Sequence, residues 1–140
     1  MSRARSFAQY LQNEMLTDQL ILSDTKEDMV YLHYTITNGP KAQITVTFKE
    51  NGGLVFCSNN FFTIPRPALK DSVLLALNEI NADKPFANAV IENNEICNYY
   101  TLYPGPEYTN KKLYRLYIYT TALLEKIYYK LLELSLYYQT

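Results

Sequence analysis

Residues 42–64, AQITVTFKENGGLVFCSNNFFTI, decide the fold class of this chain. Over 42–48, apolar and polar side chains alternate strictly, which is the pattern of a strand with one buried and one exposed face. The Asn-Gly-Gly sequence at 51–53 predicts a tight turn into a second strand over 54–64. The alternation of that strand slips near Asn59, where we expect a bulge. This hairpin predicts an antiparallel sheet that is covered on one side only.

The segments before this hairpin add strands of the same kind. Residues 29–36 alternate in hydrophobicity and lead into an Asn-Gly-Pro turn at 38–40. Residues 19–22 are apolar enough for a short first strand. The sheet therefore begins as a meander of three or four strands, depending on whether 19–22 pairs.

Two helices flank this meander, and both are indicated by apolar residues at spacings of three and four. The first covers 2–15, with Ser2 as its N-cap, and its pattern ends at 17–18. The second begins after the Pro-Arg-Pro sequence at 65–67 and covers 68–81, because proline is tolerated in the first turn of a helix.

The last part of the chain predicts a second hairpin and a long helix. Strands over 87–92 and 95–103 surround an Asn-Asn turn, and the Pro-Gly-Pro sequence at 104–106 breaks the pattern. A helix then covers 109–138. Its segment 113–121 is rich in Tyr and Thr and could pass for a strand. We favour a helix, because the apolar stripe continues in phase beyond that segment.

These elements predict one α+β domain over 1–140. The order is α-β-β-β-α-β-β-α, with an antiparallel sheet and helices on one face. A chain of 140 residues with 48% hydrophobic side chains is large enough for one core.

The stretch at 77–103, LNEINADKPFANAVIENNEICNYYTLY, resembles the corresponding part of the YbjN-like family. In that family a helix ends in a leucine–asparagine–x–x–asparagine phrase, and a Pro-Phe pair then enters a strand hairpin. The matching residues here are Leu77, Asn78, Ile80, Asn81, Pro85 and Phe86. The family is similar in fold to type III secretion chaperones, which are dimers that wrap an extended client segment. The resemblance implies a non-enzymatic, dimer-prone domain with a regulatory or chaperone-like role and no catalytic residues.

Residue chemistry gives no support for catalysis or a cofactor. A nucleophile pair of His33 and Cys57 can be imagined, but no motif supplies an orienting group or an oxyanion site. Cys57 and Cys97 lack metal-ligand spacing, so we expect two free thiols. The acidic residues within 24–28 are better explained as a solvated turn than as a cation site. We therefore expect no catalytic residue, no metal and no cofactor, with a small ligand-binding domain as the remaining alternative.

Charge and hydropathy exclude two classes of partner. The 13 basic and 14 acidic residues give a net charge of -1, which provides no strong attraction to nucleic acid or to anionic lipid. No segment approaches the roughly 20 apolar residues that span a bilayer. No signal peptide is evident, so a cytoplasmic location is expected.

Surplus apolar surface on the last two helices predicts where a partner binds. On a helical wheel, two leucines lie away from the core face of the middle helix, and a second stripe flanks the core face of the last helix. The candidate interface residues are Leu74, Leu75, Tyr114, Tyr117, Ile118, Tyr128, Tyr129, Leu132 and Leu136. We expect a homodimer, with a regulatory protein or a client polypeptide as an alternative partner. An unpaired sheet edge would suit a client.

Overall fold

In the computed structural model, which describes residues 2–15, 19–84, 86–103 and 109–137, the strands form one antiparallel sheet. The elements in chain order are α1 (Arg3–Tyr10, continued by a π-helical turn over Leu11–Met15), β1 (Leu20–Thr25), β2 (Met29–Thr35), β3 (Lys41–Phe48), β4 (Leu54–Asn59), α2 (Lys70–Asp83, preceded by a 3-10 turn over Pro67–Leu69), β5 (Ala89–Glu92), β6 (Glu95–Leu102) and α3 (Asn110–Tyr137). The strand order in the sheet is β1-β2-β3-β4-β6-β5. The predicted α+β class with an antiparallel sheet is thus confirmed.

The first strand forms and is longer than the 19–22 segment suggested. Leu20 pairs with Tyr34 and Leu22 with Leu32, so four strands and not three precede α2. Leu20 is buried, and this burial holds the strand against the core. A bulge at Ser23 shifts the register after Leu22.

The second strand of the opening hairpin ends at Asn59, earlier than predicted. Asn60 has a φ of 59°, which turns the chain out of the strand. The following residues still return to the sheet region, because Phe61 and Ile64 are buried and the Ile64 amide donates to the Asn94 carbonyl at 2.8 Å. The break in the alternation near Asn59 therefore marks the end of β4, where the chain kinks. It does not mark the predicted bulge.

Two of the predicted hairpin turns illustrate how the backbone follows the sequence signals. Asn93 and Asn94 both have positive φ, 50° and 66°, as a two-residue turn between right-twisted strands requires. Gly52 has a φ of 87° in the earlier hairpin. Asparagine and glycine tolerate this conformation better than other residues, which is why the turns could be located in the sequence.

The starts of α1 and α3 agree with prediction, whereas α2 continues to Asp83, two residues beyond the predicted end at 81. The Arg5 amide donates to the Ser2 hydroxyl at 3.2 Å, so Ser2 caps α1. The Lys112 amide donates to the Thr109 hydroxyl at 3.3 Å at the start of α3. Residues 17–18, 104–106 and Tyr138, where breaks or ends were predicted, lie outside the described residues.

Helix α3 is continuous through the ambiguous segment 113–121. Its inner stripe is buried or half-buried and packs on the sheet, as expected for a helix in phase along its length. Tyr100 on β6 stacks on Phe56 at 4.9 Å between ring centroids, and its hydroxyl lies 2.8 Å from that of Thr120 on α3. These contacts fix α3 against one face of the sheet.

Candidate protein interface

One flank of α3 carries an apolar stripe with alternating spacings of four and three. We call it the α3 seam, and its residues are Ile118, Ala122, Glu125, Tyr129, Leu132 and Leu136. At about 100° per residue these positions fall within a narrow arc, between the buried stripe and the exposed charged residues Arg115, Lys126 and Glu133. Ile118 is 44% exposed, Tyr129 39% and Leu136 58%. The same spacing marks the seam of paired helices in coiled coils.

Glu125 is the charged residue of the α3 seam, and its carboxylate is engaged by the β2–β3 hairpin. One carboxylate oxygen accepts hydrogen bonds from the Thr37 amide at 2.9 Å, the Thr37 hydroxyl at 2.8 Å and the Tyr34 hydroxyl at 2.8 Å. The bond from the Thr37 amide is the main reason that the pKa of Glu125 is lowered. Burial, with the bond to Glu125, raises the pKa of Tyr34 to about 12. The Glu125 carboxylate is therefore hydrogen-bonded within its own chain and directed toward the β2–β3 hairpin.

A second contact reinforces this docking of the hairpin on α3. The Tyr129 hydroxyl donates to the Thr37 carbonyl, and a β-carbon on Gly39 would lie 3.0 Å from the Tyr128 ring. The hairpin and the helix therefore meet closely at the turn, where any residue larger than glycine would require an adjustment. This contact orients the rings of Tyr128 and Tyr129.

The predicted interface residues on α3 separate into three environments. Tyr117 is fully buried, so the prediction that it lies on the surface was wrong. Tyr114 is half-buried beside the Tyr10 ring at 6.5 Å, and Tyr128 is half-buried beside Phe62 at 6.4 Å. Sequence reasoning placed these tyrosines by angle alone and could not foresee that α1 and the sheet would cover the flank of the helix. The other predicted residues of α3 are members of the α3 seam.

The two predicted leucines of α2 are exposed, as the helical wheel indicated. Leu74 is 41% and Leu75 64% exposed, whereas Val73 and Leu77 are buried. They lie on a different helix from the α3 seam. They form a separate, smaller surface of two side chains.

The second candidate surface is the face of the sheet that no helix covers. The sequence predicted only that this face is exposed to solvent. The strand register brings together a block of uncharged side chains, which is bordered by the charges of Asp24, opposite Tyr31, and of Glu92, which accepts a hydrogen bond from Tyr99. The side chains of the block are Ile21, Met29, Tyr31, His33, Gln43, Thr45, Thr47, Val55, Cys57, Asn59, Tyr99 and Thr101. A lack of charge is typical of the centre of interfaces, but no single strand of this sequence reveals it.

The structure separates the two members of the imagined catalytic pair. His33 lies opposite Gln43, whereas Cys57 lies opposite Thr45, so strand β3 runs between them and they are offset along it. Two strand spacings are about 10 Å, too far for a nucleophile and its base. Burial raises the pKa of Cys57, which disfavours the thiolate.

The described residues contain neither a metal-binding cluster nor a helix that could span a membrane. Within 2–15, 19–84, 86–103 and 109–137, no group of His, Cys, Asp and Glu is arranged to hold a metal ion. Glu27, from the acidic turn, pairs instead with Arg5 at 3.3 Å. Among the helices described, none is long and apolar enough to cross a bilayer. Cys57 and Cys97 are free.

Comparison with known proteins gives similarity at the level of the fold. No protein-family model matches the chain, and no curated protein sequence matches it significantly. Among solved structures, the chain is similar to the crystal structure of YbjN from E. coli, which is described as a proposed transcription regulator. The TM-score is 0.61 with 12% sequence identity, over 89% of this chain and 87% of that one. The expected YbjN-like fold is thereby confirmed, and function does not follow from it.

Proposed function

We propose that this chain is a non-enzymatic protein-binding domain that acts as a cytoplasmic homodimer with a regulatory role. The observation that carries the proposal is the α3 seam, an outward-facing apolar stripe with coiled-coil spacing on the longest helix of the fold. A helix that carries a second apolar stripe beside its buried one is normally covered on both. The sheet covers one side, and the partner covers the other.

A second copy of this chain is the occupant that best fits the α3 seam. The spacings between successive seam residues are four, three, four, three and four, which is the same from either end of the helix. In an antiparallel pair of α3 helices, every seam residue of one copy therefore lies opposite a seam residue of the other copy. Ile118 then opposes Leu136 of the other copy, and Ala122 opposes Leu132. A small residue opposite a large one allows close packing.

Charge also favours the antiparallel arrangement. In a parallel pair, Glu125 would oppose Glu125 of the other copy, and like charges across a helix interface are destabilising. In the antiparallel pair, Glu125 opposes Tyr129. The net charge of -1 adds little repulsion between copies.

Strand addition by a client polypeptide has weaker support. The two edges of the sheet are β1, which carries a bulge and Asp24, and β5, which has four residues. Bulges, charges and short edge strands are the features that discourage further strand pairing. The regulatory role accordingly rests on the homodimer and on the fold similarity to E. coli YbjN.

Light scattering during size-exclusion chromatography tests the proposal with two matched variants. At about 50 μM we expect the wild-type chain to elute near twice its mass of 16.3 kDa. Leu136→Glu should shift it to the monomer, because a charge is then buried in the seam. Leu75→Glu is the control, since Leu75 is equally exposed but lies on α2, and it should remain dimeric. A monomeric wild-type chain contradicts the dimer, and dissociation by Leu75→Glu alone contradicts the seam.

A further inference from the structure

A cavity of about 230 Å³ lies between the start of β1 and α3, on the flank of the helix beside the α3 seam. Its walls include Gln19, Leu20, Tyr34, Tyr114, Tyr117 and Ile118. Leu20 and Ile118 supply apolar surface, and the three tyrosines supply ring edges and hydroxyls. Such a mixture of apolar wall and few polar groups is typical of small-molecule sites.

Tyr117 is the unusual member of this wall. It is fully buried, and among the described residues its hydroxyl has no hydrogen-bond partner. Burying an unpaired hydroxyl costs free energy, whereas phenylalanine would fill the same space without that cost. Burial also raises the pKa of Tyr117, so the hydroxyl stays protonated and keeps its donor.

Three other polar side chains of the wall already make hydrogen bonds. The Gln19 amide donates to the Thr35 carbonyl and the Thr37 hydroxyl, both at 3.1 Å. The Thr121 hydroxyl donates to the Ile118 carbonyl at 2.7 Å. The Tyr34 hydroxyl donates to Glu125, which leaves its oxygen able to accept. The Tyr117 hydroxyl is therefore the buried donor that has no partner among the described wall residues, and the Tyr34 oxygen is able to accept.

The charges around the cavity select against ions. Among the described residues of its wall, none is Asp, Glu, Lys or Arg. Glu125 reaches the wall through its hydrogen bond with Tyr34, and its negative charge contributes to the raised pKa of Tyr34. An anion would be repelled by that carboxylate, and a cation would lose its hydration without gaining a paired charge.

From these observations we propose that the cavity binds a small neutral molecule with a compact apolar body and one hydroxyl or carbonyl oxygen. The oxygen accepts a hydrogen bond from the Tyr117 hydroxyl, and a hydroxyl ligand also donates to the Tyr34 oxygen. The Tyr117 hydroxyl is buried, so a ligand reaches it only after a local side-chain movement in the wall. The site is complete within one chain, so it does not depend on the proposed dimer.

Three probes of the same size and different charge test this proposal: benzyl alcohol, benzoate and benzylammonium. Chemical-shift titrations should give saturable binding of benzyl alcohol with a Kd of the order of 1 mM and much weaker binding of the two ions. The shifted signals should come from Leu20 and Ile118. No saturation by benzyl alcohol, or equal binding of benzoate, would overturn the proposal.

The variant Tyr117→Phe tests the role of the hydroxyl. It removes one oxygen and leaves the ring in place, so the chain should fold at least as stably as the wild type. We expect benzyl alcohol to bind about fivefold more weakly to this variant, because the loss of one neutral hydrogen bond lowers the affinity by about that factor. Tyr103→Phe is the control, because Tyr103 is 67% exposed and is not part of the wall. Unchanged affinity in Tyr117→Phe contradicts the proposed hydrogen bond.

Discussion

The Glu125 carboxylate on α3 accepts two hydrogen bonds from Thr37, which lies 88 residues earlier in the chain. The bonds measure 2.9 Å from the amide and 2.8 Å from the hydroxyl. They attach the β2–β3 hairpin to the middle of the longest helix. They also direct the charge of Glu125 away from the outward axis of the α3 seam, which leaves a largely apolar stripe for a partner.

Replacing Glu125 with Gln should weaken the fold in a pH-dependent way. The pKa of Glu125 is lowered from 4.5 in the folded chain, chiefly by the Thr37 amide. A lowered pKa stabilises the fold above pH 4.5, and this contribution is lost as the pH falls through the folded value. Urea unfolding should show a loss of about 1 kcal/mol in Glu125→Gln at pH 7, and a smaller difference from wild type below pH 4.5.

Glu133→Gln provides the control for that experiment, because Glu133 is an exposed carboxylate on the same helix. It should unfold with nearly the wild-type free energy at both pH values. A difference between wild type and Glu125→Gln that stays constant from pH 7 to pH 3 would show that the carboxylate charge is not responsible.

Asn81 should be essential for the attachment of the edge strand β5 to α2. Its amide nitrogen donates to the Ala89 carbonyl at 3.0 Å, and its amide oxygen accepts from the Ala89 amide at 2.8 Å. Asn81→Ala leaves both backbone groups of Ala89 without this partner, and we expect a loss of about 2–3 kcal/mol in unfolding free energy. Hydrogen exchange at Ala89 should accelerate. Asn78→Ala, at an exposed position of the same helix, should change neither value.

Two buried hydroxyls should respond in opposite ways to removal. The Thr120 hydroxyl bonds the Tyr100 hydroxyl at 2.8 Å and the Leu116 carbonyl at 2.9 Å. Thr120→Val should therefore cost about 1–2 kcal/mol, because Tyr100 loses a partner. The Ser58 hydroxyl is fully buried without a partner in the described part of the chain, so Ser58→Ala should be neutral or stabilising. Thermal unfolding of the two variants checks the contrast, and a destabilised Ser58→Ala would point to a bound water at that site.

The elements of this fold could be predicted because their signals are local. The turn at Asn93–Asn94, the cap at Ser2 and the alternation over β3 each depend on a few neighbouring residues. The exposure of Leu74 and Leu75 followed from helical angle alone. Such features survive in the tertiary structure because burial reinforces the local preference.

The parts that could not be predicted depend on contacts distant in sequence. The burial of Tyr117 depends on how β1 and Tyr34 of β2 lie against α3, and a helical wheel of α3 alone does not include those strands. The attachment of Glu125 to Thr37 and the block of uncharged side chains on the uncovered face of the sheet become visible only when the register of several strands is known. The end of β4 at Asn59 was visible as a slip in the pattern, but alternation alone cannot tell a bulge from a strand end.

Oxidative cross-linking between two variants tests the antiparallel homodimer most directly. Chains carrying Ile118→Cys and Leu136→Cys are mixed in equal amounts and oxidised, and each variant and the wild type, which has Cys57 and Cys97, are treated alone. Because Ile118 of one copy should lie against Leu136 of the other, the mixture should give a reducible dimer in far higher yield than any single chain. The proposal is contradicted if the mixture yields no more dimer than the separate variants.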